Sequence, residues 1–256
     1  MTPTTPAQHL YIVTGSSRGL GAALVAQLLQ PGHTVLGLAR RQNDTLPSQA
    51  QAAGAALIQW PVDLTEPLPP AERLTAWLAG FDGTPIASAT LINNAGLLST
   101  PAALAQVPLA ELSQAMRAGL EAALLLTASF LAATATWPGA RRVLNISSGL
   151  GRRAMAGSAA YCAAKAGMDH FSRAVALEEA ALPNGARIVS MAPGVIDTDM
   201  QAQLRGADAA AFPERERFAQ LHAQGQLMSP ADCARQLLAR LARADFGAEV
   251  VADIRG

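Results

Sequence analysis

Leu10-Tyr11-Ile12-Val13-Thr14-Gly15-Ser16-Ser17-Arg18-Gly19-Leu20-Gly21 is the stretch on which the fold turns. A short apolar run is followed by Gly15, Gly19 and Gly21, and a helical pattern then runs from Gly19 to Leu29. Glycines at such a turn let the backbone bend tightly and approach a pyrophosphate, and the helix N-terminus stabilises its negative charge. The spacing is G-x-x-x-G-x-G rather than the commoner G-x-G-x-x-G, and a tight connection could use the same glycines. Their place directly behind the first strand favours a nucleotide.

Outward from this stretch, short apolar runs alternate with helical patterns. Strands are expected at Leu10–Val13, Thr34–Ala39, Ala55–Pro61, Thr90–Asn93, Arg142–Ile146, Arg187–Met191 and Glu249–Ile254. Helices are expected near Gly19–Leu29, Pro70–Ala79, Leu109–Thr134, Ser158–Leu182 and Pro230–Arg243. Such alternation implies parallel strands joined by right-handed crossovers, with helices on both faces. The prediction is an α/β protein with a doubly wound, seven-stranded parallel sheet. Gln30-Pro31-Gly32 and Pro183-Asn184-Gly185 read as helix stops. No repeat or low-complexity linker divides the chain, so residues 1–256 read as one domain. Residues 197–229 hold no strand but include Phe212, Pro213, Phe218 and Leu221, which suggests one or two short helices on a substrate lid.

Half of the 256 residues are hydrophobic and 15% are charged, enough apolar material for a large buried core. Nineteen basic and nineteen acidic side chains cancel, which argues against nucleic acid or an anionic membrane as the main partner. Cys162 and Cys233 form neither a metal-ligand spacing nor a disulfide framework, and the four histidines are scattered, so no metal site is expected. Met1 to His9 lacks the pattern of a signal peptide. The apolar stretch Ala122–Ala135 is interrupted by Thr127, Ser129 and Thr134 and falls short of the roughly 20 residues that span a bilayer. The expectation is a soluble, cytoplasmic protein.

Two groups of residues carry the chemistry. The second strand ends in Ala39 followed by Arg40 and Arg41, where an NAD-binding protein usually offers a carboxylate to the adenosine ribose. Guanidinium groups there bind a 2′-phosphate through charge-assisted hydrogen bonds. Arg18 is a further cation within reach, so the three favour NADP, although either Arg40 or Arg41 alone could be an ordinary loop charge. The second group is Tyr161-Cys162-Ala163-Ala164-Lys165. Residues four apart share a helix face, so the phenol and the ammonium address one space. A free phenol has a pKa of about 10, and a nearby cation lowers it towards a useful acid or base.

These motifs together resemble the short-chain dehydrogenase/reductase family over nearly the whole chain, which implies a Rossmann fold. Thr14–Gly21 is similar to its cofactor loop, with Gly15, Ser17, Arg18, Gly19, Leu20 and Gly21 as implied contacts. Val62-Asp63-Leu64 resembles the adenine-contacting segment, with Asp63 near the ring amine. Asn93-Asn94-Ala95-Gly96 resembles the motif that supports the sheet and lines the nicotinamide ribose, through Asn93, Ala95 and Gly96. Pro193-Gly194-Val195-Ile196-Asp197-Thr198 resembles the segment whose Pro193, Val195 and Thr198 hold the carboxamide. The resemblance makes Ser148, Tyr161 and Lys165 the catalytic trio, and the family's usual serine–tyrosine offset selects Ser148 over Ser147.

The implied reaction is NADP-dependent reduction of a ketone, aldehyde or dicarbonyl. Ser148 polarises the carbonyl, Tyr161 donates the proton, and Lys165 binds the ribose and lowers the tyrosine pKa. Gly119 stands where many members carry an asparagine that helps hold a relay water. Backbone carbonyls could hold that water, solvent could reprotonate Tyr161 directly, or Gly119 could merely permit close helix packing. Pocket walls are expected from Leu97, Leu98, Leu150–Gly157 and the lid, with Arg152 and Arg153 facing solvent or a polar substrate tail. The glycine-rich loop, the missing asparagine and the C-terminal Ile254-Arg255-Gly256 are similar to the sepiapterin- and benzil-reductase-like branch, which implies a dicarbonyl or pterin-type ketone. The breadth of apolar residues on the two long helices, with the resemblance, implies a homodimer or homotetramer through a four-helix interface. The alternatives are a non-catalytic NADP(H) sensor and an oxidative alcohol dehydrogenase of the same fold.

Overall fold

Burial on both faces decides which apolar runs become strands. In the computed structural model, which describes residues 7–255, these runs form β1 (Gln8–Thr14), β2 (His33–Ala39), β3 (Ala56–Pro61), β4 (Ile86–Asn93), β5 (Ala140–Ile146), β6 (Arg187–Ala192) and β7 (Val251–Asp253). Met1 to Pro6, most of the N-terminal stretch considered above, and Gly256, the end of the predicted 1–256 domain, lie outside the described residues. Leu10, Ile12, Val35, Leu36, Leu91, Ile92, Val143 and Leu144 are fully buried, the continuous apolar signature of a parallel sheet covered on both sides. The seven strands form one parallel sheet in the order β3-β2-β1-β4-β5-β6-β7. The order reverses between β1 and β4, which opens a crevice at the C-terminal ends of those two strands. The predicted single-domain, doubly wound Rossmann architecture is the one observed.

Helices cover both faces. On one side α1 (Gly19–Leu28), α2 (Leu46–Ala53) and α9 (Pro230–Leu241) bury Leu24, Leu28, Leu46, Leu237 and Leu241 against Val13, Val35 and Leu144. On the other, α3 (Leu68–Ala79) and α5 (Ala122–Ala133) bury Leu74, Leu78, Leu126 and Phe130 against Leu36, Leu91 and Val143. Each fully buried leucine contributes roughly 1.5–3 kcal/mol. α9 starts cleanly because Ser229 Oγ accepts from the Asp232 amide at 3.0 Å and Pro230 fills the first turn. The predicted helix Leu109–Thr134 is not continuous in type. α4 (Leu109–Met116) passes through a π-helical turn, Arg117–Glu121, into α5. The run Leu109–Ala133 is long and apolar enough to cross a membrane by length and composition, yet Leu126 and Phe130 place α5 in the core.

The 22-residue α6 (Ala159–Ala180) carries Tyr161 and Lys165, and its end is locked by a buried pair, Arg141 Nη2 to Glu179 Oε2 at 3.3 Å. Residues 197–229 fold as expected into two short helices, α7 (Asp199–Arg205) and α8 (Arg215–Ala223). Leu204, Phe212 and Phe218 pack there with Met155 as a small separate apolar cluster. The exposed half of the segment is charged, and its aromatic half is interior.

Candidate active site

One large cavity, about 940 Å³, opens at the crevice between β1 and β4 and runs to the α7–α8 segment. The glycine turn forms one wall because only a missing side chain fits there. A Cβ on Gly21 would lie 2.1 Å from the Gly15 carbonyl oxygen, and one on Gly15, whose φ is 69°, would lie 2.9 Å from Asn94 Nδ2. The turn is fastened to the next motif by Thr14, whose hydroxyl accepts from the amides of Asn94 and Ala95, both at 2.9 Å. Asn94 Nδ2 returns a bond to the Thr14 carbonyl at 2.9 Å. Asn43 supports the outer side by donating to the Ser17 carbonyl at 3.0 Å. Thr14, Asn43 and Asn94 were not singled out as site residues. Thr14 opens the first of the two motifs that they join, Asn94 lies within the second, and Asn43 carries no sequence signal.

The cavity brings together Gly15, Ser17, Arg18, Gly19, Leu20, Gly21, Arg40, Asp63, Leu64, Ala95, Gly96, Ser148, Tyr161, Lys165, Pro193, Val195 and Thr198. Asn93 is the exception. Its side chain turns inward, donating to Asn145 Oδ1 at 2.8 Å and Thr127 Oγ1 at 3.0 Å, so Asn93 ties β4 to β5 and α5 while Asn94 faces the cavity. Strand alternation sends two adjacent asparagines to opposite sides. Arg18 pairs with Asp199 at 2.5 Å across the glycine turn, both side chains largely exposed, and Arg40 and Arg41 line the same cavity. Asp63 accepts from the Thr65 amide and hydroxyl, both at 2.9 Å, and the amide bond is the main cause holding its carboxyl below the usual range.

At the opposite end, β5 delivers Ser147 and Ser148, and the turn after them packs on α6. Ser148 Oγ accepts from the Leu150 amide at 3.1 Å and is also hydrogen-bonded to the Tyr161 phenol. Lys165 is 3% exposed, and its ammonium donates to the Ile146 carbonyl at 2.6 Å. Burial pulls its pKa down to about 8, opposed by the negative charge of Asp169. The ammonium lies 5.7 Å from the centre of the Tyr161 ring. The expected depression of the phenol pKa is not what this geometry produces. Burial raises it, and the bond to Ser148 pulls the other way. Lys165 Nζ donates to Ile146 and stands 5.7 Å from the ring centre, and burial of the phenol is the largest cause of the shift.

Gly119 lies in the π turn and faces α6, where a Cβ would stand 3.3 Å from that of Ala164. Its neighbour Ala118 lines the cavity. Of the two arginines expected to face solvent or a polar substrate tail, Arg152 is paired with Asp169 at 3.3 Å, and Arg153 lines the cavity. The segment holding Pro193, Val195 and Thr198 is fixed by backbone pairing with Met228, through Val195 O at 2.9 Å and the Asp197 amide at 3.0 Å.

The sequence profile of the short chain dehydrogenase family matches residues 9–209. The chain belongs to this family. Among curated short-chain dehydrogenase/reductase relatives it is similar to a benzil reductase ((S)-benzoin forming) of Bacillus cereus, 35% identical over 86% of this chain and 88% of that one. A sepiapterin reductase of Rattus norvegicus is 32% identical over 92% of each chain. Among solved structures of this family, a metagenomic short-chain oxidoreductase in complex with NADP superposes with a TM-score of 0.73 at 26% identity, over 98% of this chain and 99% of that one. The profile match thus runs from β1 past the glycine turn and the 148–165 segment to α7.

Proposed function

We propose that the protein is an NADP(H)-dependent carbonyl reductase in which Tyr161 is the general acid. The observation that carries this reading is the convergence of Ser148, Tyr161 and Lys165 at one end of a cavity whose other end is the Gly15–Gly21 turn. The turn fits a dinucleotide: its backbone fills the room that side chains would take, and Arg40 and Arg41 supply charge for a 2′-phosphate. The relative solved with NADP supports the same cofactor. When bound, the cofactor supplies a hydride to the carbonyl carbon. Ser148 donates its hydroxyl proton into a hydrogen bond with the carbonyl oxygen. Tyr161 transfers its phenolic proton to that oxygen as the C–O π bond breaks, giving an alcohol and a phenolate that recovers its proton from water. A raised phenol pKa keeps the acid loaded at neutral pH. Lys165, a buried cation, stabilises the transient phenolate.

The similarity to benzil and sepiapterin reductases supports a dicarbonyl or pterin-type ketone as substrate. The 197–229 segment acts as a lid, since Phe218 and Leu204 both line the cavity and anchor its apolar cluster. Exposed Leu124 on α5 and Leu177 on α6 favour a homodimer or homotetramer through these helices. The test is NADPH oxidation against aldehydes, ketones, dicarbonyls and quinones, repeated with Tyr161→Phe. That change keeps the ring and removes the transferable proton, so turnover should collapse while NADPH still binds. Near-unchanged turnover would exclude Tyr161 as the acid.

A further inference from the structure

Gln201 on α7 is 3% exposed and lines the cavity. Its Oε1 accepts from Arg205 Nη1 at 3.3 Å, and because a guanidinium can only donate, this bond fixes the amide orientation. The Nε2 group is left buried with no hydrogen-bond partner among the described residues. A buried donor without an acceptor is costly, so a site that keeps one is arranged for a ligand oxygen. Helical geometry says which ligand. Asp199 faces the glycine turn through Arg18, and two residues along a helix rotate the side chain about 200° away from that side. Gln201 instead shares its face with Leu204, which packs with Met155 and Phe218 at the substrate end.

Two arginines stand at that end. Arg153, two residues before Met155, and Arg217, next to Phe218, both line the cavity. Arg153 has no carboxylate within ion-pair distance among the described residues, and Arg217 reaches only the partly exposed Glu214 at 3.3 Å. The acids lining the cavity already have partners: Asp199 pairs with Arg18, Asp63 is held in its own turn, and Asp197 pairs with Arg205, the guanidinium that also holds Gln201 Oε1. We infer that this end of the cavity binds a carboxylate, through Gln201 Nε2, Arg153 and Arg217, and that the substrate is an apolar carbonyl compound bearing that carboxylate. The apolar body lies on Leu98, Leu150, Met155 and Phe218. This inference rests on the carbonyl reductase reading for the reacting end of the molecule.

The test uses benzoylformate, benzoylpropionate and benzoylbutyrate, each paired with its methyl ester, in NADPH oxidation assays. Charge-assisted bonds should favour the acid over its ester by about tenfold or more in kcat/KM at one spacer length. That ratio should fall towards one in Gln201→Leu, Arg153→Met and Arg217→Met. Esters reduced as well as the acids at every spacer length, or a ratio untouched by all three substitutions, would overturn the inference. Should no compound be reduced, the reductase reading fails separately, and calorimetric titration of benzoylbutyrate into the NADP-loaded protein decides this one. Binding that is lost in Arg153→Met and Gln201→Leu supports it, and no binding overturns it.

Discussion

Arg152 and Asp169 form an ion pair, Nε to Oδ2 at 3.3 Å, that joins the turn after Ser148 to the helix bearing Tyr161 and Lys165. The same guanidinium donates to the Ala252 carbonyl on β7 at 2.7 Å, and Ser190 on β6 donates to Asp169 Oδ1 at 2.7 Å. Gly151 lets this happen, since a Cβ there would stand 2.9 Å from Asp169 Oδ2 and from the Lys165 carbonyl. Three parts of the site are thus held to one buried carboxylate. Asp169→Asn keeps the shape and removes the charge that opposes the desolvation of Lys165. The Lys165 ammonium should then lose its proton at lower pH, and the alkaline limb of the pH–rate profile for ketone reduction should move down with it. A limb that stays in place in a folded Asp169→Asn protein would limit the carboxylate to packing.

The pKa of Lys165 also makes a stability prediction. The folded protein releases this proton near pH 8, whereas an unfolded lysine holds it until about 10.5. Between those values the unfolded chain binds more protons, so Lys165 makes stability rise with pH, by at most about 1.4 kcal/mol per unit. Cys233 works in the opposite sense. Burial lifts its pKa from 9.0 to about 12, so above pH 9 the folded state holds the extra proton and stability is lost as pH increases. The two effects overlap, and only a difference separates them. Urea unfolding of the cofactor-free protein and of Lys165→Met should show the wild type gaining on the variant by about 1 kcal/mol per unit above pH 8. A constant difference would mean that the ammonium is not desolvated.

The proposed reading makes Arg40 the residue that sets cofactor choice. With Arg18 held by Asp199, loss of the Arg40 charge removes one or two charge-assisted bonds worth about 1.5–3 kcal/mol each. Arg40→Asp, which adds repulsion, should weaken NADPH binding by well over tenfold at about 1.4 kcal/mol per decade, with NADH little affected. Arg18→Ala should cost less than Arg40→Asp. Fluorescence titrations would decide this, and equal affinity for NADH and NADPH in the wild type would remove Arg40 from the role.

The seven strands were legible because each depends on local pattern, and the family resemblance pointed to Ser148, Tyr161 and Lys165, which line one cavity. Apolar runs buried on both faces announce themselves, and a motif fixes residues that lie near one another in the chain. What escaped depends on distant pairing or on a weak local signal. α2 was missed because Leu46-Pro47-Ser48-Gln49-Ala50-Gln51 presents only Leu46 and Ala50 to the core. The inward turn of Asn93 is set by Asn145 and Thr127, and the capture of Arg18 by Asp199 spans most of the chain. The π turn at Arg117–Glu121 leaves the composition of a helix unchanged, so periodicity reads straight through it.

That turn bears on the last prediction, which concerns Gly119. A residue without a side chain here either frees space for a relay water or lets two helices approach. The contact geometry favours approach. Gly119 is buried against Ala164, next to Lys165, and it is Ala118 that lines the cavity. A Cβ at 3.3 Å asks for a shift of only a few tenths of an ångström, and alanine is the better helix former, so Gly119→Ala should change stability by less than about 1 kcal/mol. Asparagine adds atoms to a close-packed contact, and overpacking of this kind costs about 1–3 kcal/mol. Gly119→Asn should therefore lower both stability and kcat by pushing on the helix that carries Lys165. Ala164→Gly in the same chain should restore much of both, since it removes the methyl group that the new side chain meets. Denaturant unfolding and kinetics on the two single variants and the double variant would measure this coupling directly. Should the double variant regain stability but keep an altered pH–rate profile, the asparagine would be acting on the proton path and the packing account of Gly119 would fall.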